Sequence, residues 1–132
     1  MEFIKIYLVS LTIFLGIDAV WLTTIAKSFY AKHLGYLMAD KPNLTAALIF
    51  YLINMLGIVV LVIMPSLHEK TFYRMALLSA LYGLCTYATY DLTNMATIKN
   101  WPTIVTVVDL IWGVTISTVV GVLTFLVVKR FF

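Results

Sequence analysis

Four long apolar runs, separated by short polar connections, organise the 132 residues. They cover about 6–25, 44–64, 75–98 and 103–128, and each reaches the ~20 residues that a helix needs to cross roughly 30 Å of hydrocarbon. A transmembrane β-barrel would instead show alternating segments of about ten residues, and this sequence has no such alternation. Backbone groups in lipid must bond one another, so the runs are expected as helices. The pattern predicts an all-α fold, a four-helix transmembrane bundle with antiparallel neighbours, forming a single integral membrane domain over residues 1–132. The first run continues past Trp21 without a small-x-small site behind a short apolar core. It is therefore expected as a retained helix and not as a cleaved leader.

The connections are unequal. The longest, 27–43, carries Lys27, Lys32, His33, Asp40 and Lys41. Within it Tyr30, Leu34 and Leu37 fall at i, i+4 and i+7, the spacing of a short amphipathic helix on the membrane surface within 27–41. A plain loop is the alternative. Lys99-Asn100-Trp101-Pro102 reads as a tight turn, with Pro102 suited to the start of a helix and Trp101 to the interfacial aromatic belt. Four spans put both termini on one side. That side collects Lys5, Lys70, Arg74, Lys129 and Arg130, against Lys27, Lys32, Lys41 and Lys99 opposite. The positive-inside rule then expects cytoplasmic termini.

Composition narrows the function classes. Hydrophobic residues make up 63% and charged ones 11%, against about 45–50% and roughly 25% in soluble domains. No soluble fold of this size could hide so much apolar surface, and disorder needs the reverse balance. The net charge of +3 comes from nine basic residues scattered singly or in pairs, so no nucleic-acid partner is expected. Cys85 stands alone and can form no internal disulfide. The lipid bilayer is the expected partner, with a homodimer left open.

The acidic residues carry the chemistry. Asp18, Asp91 and Asp109 lie inside apolar runs, and none of the basic residues does. A charged Asp at mid-membrane costs about 2.5–3.5 kcal/mol even on the lenient insertion scale. Asp18 lies nine residues before Lys27, Asp91 eight before Lys99, and Asp109 seven after Pro102. At 1.5 Å per residue the three carboxyls fall in one layer, roughly 10–14 Å below the face opposite the termini. Asn54 comes slightly deeper. Tyr87, Asp91 and Asn94 share one helix face. Gly113, Ser117 and Gly121 form a small-residue row that continues to Asp109 and turns it into the bundle. Trp21 and Trp112 each follow an Asp at i+3 and place an aromatic wall beside it.

With no Lys or Arg at their depth, these acids must be protonated, hydrated in a cavity, or neutralised by a bound cation. Interhelical glue is the bland reading, but such bonds average only about 0.6 kcal/mol, less than the insertion cost. The expected function is binding and proton-coupled transport of a small amphiphilic or cationic molecule. Asp91, Asp109 and Asp18 are the proton-carrier candidates, and Asn54, Tyr87, Asn94, Trp21 and Trp112 the ligand-binding ones. The alternatives are an intramembrane acid–base enzyme acting on a lipid or isoprenoid-like substrate, or a structural subunit of a membrane complex. Transport favours a cavity reaching both faces, an enzyme a pocket open sideways to lipid and closed at its far end, and a scaffold no cavity. No metal and no cofactor are expected: His33 and His68 fall on opposite faces and no His-rich pattern points to zinc, and an oxygen-only site for magnesium, calcium or manganese on Asp91, Asn94, Asp109 and Asp18 is the lesser alternative.

Asp91-Leu92-Thr93-Asn94, running through Trp101-Pro102 to Asp109-Leu110-Ile111-Trp112-Gly113, together with Asp18-Ala19-Val20-Trp21, resembles a family of small bacterial membrane proteins of unknown function. The likeness covers the whole chain. It implies a multi-pass protein of the bacterial inner membrane and brings no activity with it.

Overall fold

A computed structural model describes residues 2–132 of the protein. They form four long helices with no strand among them: α1 Glu2–Leu34, α2 Leu44–Glu69, α3 Phe72–Thr97 and α4 Thr103–Phe131. The all-α architecture with antiparallel neighbours follows from the short connections. α1, α2 and α4 are long and apolar enough to cross a membrane. α3, with 26 residues, is about 39 Å long but more polar, because Thr86, Tyr87, Tyr90, Asp91, Thr93 and Asn94 crowd its second half.

Local chemistry sets the ends. Asn43 caps α2, its side chain accepting the Ala46 N–H at 3.1 Å. Lys70, at φ 53°, stops α2 in the left-handed region, and Asn100, at φ 61°, makes the turn before α4. Asn tolerates that conformation better than most residues.

The connection expected as a short surface helix or a plain loop is helical over Lys27–Leu34, but as a continuation of α1. Helix α1 runs on through a five-residue π-helical segment, Leu22–Ala26, into Lys27–Leu34. A π turn takes up one residue more than an α turn. In an unbroken α-helix Tyr30 would sit about 120° round from Asp18, and the extra residue brings it to within about 20°. Tyr30 and Leu34 thus point into the bundle and not at lipid. Trp101 also departs from the aromatic belt. It is buried with Leu34 and Val105, because the turn at Asn100 and Pro102 folds its indole back to donate to Thr106 Oγ1 at 3.0 Å.

The tightest pair is α3 with α4. Gly83 packs so closely that a Cβ there would run into the carbonyl oxygen of Gly113. One turn along, Gly113 faces the ring of Tyr87, and Gly121 faces Ser79. This is the close approach that small residues permit. α1 lies against α4, where Ser10 donates to Thr124 Oγ1 at 3.1 Å. α2 rests on α1 and reaches α3 and α4 mainly through its own π segment, Val59–Ile63. In the half nearer the termini the interior is a solid apolar core that includes Phe14, Ile58, Ile63, Met75, Ile116 and Val120. The half nearer Trp101 is hollow.

Candidate functional site

Asp18 from α1, Asp91 from α3 and Asp109 from α4 line one cavity of about 660 Å³, within the ~300–1,000 Å³ typical of small-molecule sites. Exposures of 8%, 0% and 6% place the three side chains at its buried wall. Their common layer follows from their similar distances to the helix ends, and their common direction from packing. The α3–α4 seam turns Asp91 and Asp109 towards each other, and the α1–α4 contact brings in Asp18.

Each carboxyl has a different partner. Tyr30 donates its hydroxyl proton to Asp109 Oδ1. Tyr51, from α2, donates to Asp18 Oδ2 at 2.7 Å. The Asp91 carboxyl lies near that of Asp109, and both of its oxygens are buried without a hydrogen-bond donor. The Trp112 indole N–H lies towards Asp18 but outside hydrogen-bond geometry, so it too is buried and unpaired. Unpaired buried polar atoms are rare in folded proteins. Both residues line the same cavity, with these unpaired atoms buried in its wall.

The remaining walls are apolar. The indoles of Trp21 and Trp112 stack with centroids 4.3 Å apart and planes 9° from parallel. Tyr87 lines the wall beside Asp91, and Leu22, Leu34, Met38 and Phe50 complete much of the rest. Over the Trp101 end, the 35–43 connection is fastened where Tyr36 donates to the Asn100 carbonyl at 2.9 Å. At the other end, Tyr82 donates to the Asn54 backbone carbonyl at 2.9 Å and to its Oδ1 at 3.0 Å.

Six of the eight residues singled out from sequence therefore meet here: Asp18, Asp91, Asp109, Trp21, Trp112 and Tyr87. Asn54 and Asn94 do not line the cavity. Asn54 is buried and engaged by Tyr82, where it pins α2 to α3. Asn94 is half-buried on the next turn beyond Asp91, and its backbone carbonyl caps the end of α3. Sequence reasoning missed Tyr30 and Tyr51 as partners of the acids. Tyr51 carried a signal, since it shares a helix face with Asn54. Tyr30 carried none, because its direction depends on the π segment. Among the described residues no three of His, Cys, Asp and Glu are grouped closely enough to hold a metal ion.

The chain belongs to the predicted membrane protein family DUF2177, whose model matches residues 3–126. No curated protein and no solved structure matches it.

Proposed function

We propose that this membrane protein binds the head group of an amphiphilic molecule in the acidic cavity and exchanges a proton with it. The observation that carries the reading is Asp91, a fully buried carboxyl with no donor to either oxygen, set against a second carboxyl in a cavity with apolar walls. Two neighbouring carboxyls in an apolar cavity repel each other when both are ionised. A head group that donates to Asp91 offsets that charge. Asp109 is held by Tyr30, and Asp18 forms the third acidic wall. Trp21, Trp112 and Tyr87 supply apolar surface and ring faces for a cationic centre.

Acid–base chemistry on a lipid-like molecule is favoured over transport. Neither Asn54 nor Tyr82 lines the cavity, and a solid core lies in the half beyond their contact, which suits a molecule that enters and leaves by one route. A scaffold would gain nothing from three inward acids and a cavity.

We read α3 as a fourth span, because its polar side chains face the interior and its length matches the others. The chain is then one membrane domain with both termini on the cytoplasmic side, in keeping with the distribution of Lys and Arg, and the bacterial inner membrane is its location.

The test is proton stoichiometry. The protein in lightly buffered nanodiscs is titrated with a long-chain amino alcohol across about pH 5–9, while a soluble indicator reads proton uptake or release and tryptophan fluorescence reads binding. Binding accompanied by a pH-dependent proton change, lost in Asp91→Asn, supports the reading. Binding without any proton change over the whole range overturns it.

A further inference from the structure

From Leu44 to Phe50 every residue of α2 is exposed except Ala47, which is half-buried. These first two turns pack on little else in the chain. One turn further, α2 is drawn to α3, where Tyr82 reaches Asn54 and its hydroxyl occupies the space left by Gly57. On the Trp101 side of that pinch the two helices stand apart. Phe50 on α2 and Thr86 and Tyr90 on α3 line the cavity from either side of the gap, and Phe50 and Tyr90 are exposed on their outer sides. Towards the Trp101 end the cavity is lined by Leu34 and Met38, and the connection beyond them is fastened by the Tyr36–Asn100 bond.

We propose that the cavity is loaded sideways from the bilayer, through the gap between Phe50 and Tyr90, and takes a single-chain amphiphile whose head bears a hydroxyl and no negative charge. The proposal rests on the acidic cavity being a ligand site and adds the route and the class of ligand. The head is specified by what the cavity lacks. Asp91 lacks a donor and Trp112 an acceptor; hydroxyls on a head group can donate to the one and accept from the other, whereas an ammonium can only donate. A sulfate or phosphate head would meet three carboxyls and no cation. The tail is specified by the gap, whose apolar rim opens towards the hydrocarbon layer and not towards an aqueous face.

The test uses a long-chain amino alcohol with a diazirine at mid-tail, added to the unmodified protein in phosphatidylcholine nanodiscs, photolysed and mapped by peptide mass spectrometry. Adducts are expected within a turn of Phe50 and Tyr90. Excess unlabelled amino alcohol should suppress them about tenfold or more, as should Asp91→Asn, because a hydrogen bond to a charged group is worth that much. A tail-matched alkyl sulfate should not suppress them. Competition on the unmodified protein keeps the test decisive should the variant fold poorly. Competed adducts that map to Tyr36, Lys41 or Asn100 would overturn sideways loading and leave the acidic site standing. Adducts near Phe50 and Tyr90 that the sulfate suppresses equally would keep the route and overturn both the head-group class and the acid chemistry. Adducts spread over lipid-facing positions such as Leu77 and Leu123, with no competition, would overturn route and site together.

Discussion

The hydroxyl of Tyr30 donates to Oδ1 of Asp109, 79 residues away along the chain. This bond fastens the last two turns of α1 over the cavity and gives one of its acids a fixed direction. Without it Asp109 would be a buried acceptor lacking its tyrosine donor, and Lys27–Leu34 would be held chiefly by Leu34 against Trp101 and Val105. Tyr30→Phe removes the donor and little volume. The expected loss is about 1–3 kcal/mol of stability. Amide exchange should show faster exchange in 27–34 while α3 is unchanged; equal protection in both proteins would mean that the bond does not hold the segment.

Asp91→Asn tests the acid pair from the other side. Asn has nearly the shape of Asp, carries no charge, and brings an N–H₂ that can donate to the neighbouring Asp109 carboxyl. Folding should be retained, and removal of an ionisable group from the membrane interior should raise stability by about 1–2 kcal/mol. Melting temperature and ligand response measured together across pH should separate. A variant that unfolds, with no ligand response lost apart from stability, would make Asp91 a structural residue.

Glycine positions predict a contrast within one protein. A Cβ at Gly83 would strike the backbone carbonyl of Gly113, which cannot move without shifting α4, whereas Gly16 has open space around it. Gly83→Ala should cost about 1–3 kcal/mol or more through overpacking. Gly16→Ala should be neutral or stabilising by about 0.5–1 kcal/mol, because Gly is the poorer residue inside a helix. Thermal or denaturant unfolding in detergent reads both, and equal effects would contradict the tight α3–α4 seam.

The four-span topology has its own measurement. In a Cys85→Ser background, single cysteines at Lys5 and Lys129 should react with a membrane-impermeant thiol reagent from one side of the membrane, and cysteines at Lys41 and Asn100 from the other. Labelling of positions 5 and 129 from opposite sides would exclude four spans.

The amino-acid sequence by itself determined the helices and the depth of the acids, because both depend on distance along the chain. About twenty apolar residues make a span wherever they occur, and a rise of 1.5 Å per residue puts Asp18, Asp91 and Asp109 in one layer. Direction was legible where the helix is regular: the row through Gly113, Ser117 and Gly121 turned Asp109 inward on 3.6-residue periodicity alone. The tertiary structure decided what periodicity cannot carry. The π segment at Leu22–Ala26 rotates Tyr30 from a surface position onto Asp109, and no run of apolar residues signals that extra residue. Tyr82 engages Asn54 and removes it from the cavity, a pairing between helices that neither sequence segment encodes alone. The unpaired state of Asp91 and Trp112, and the gap between Phe50 and Tyr90, arise only when four helices meet, because a group is unsatisfied, or a space open, only relative to the neighbours that packing supplies.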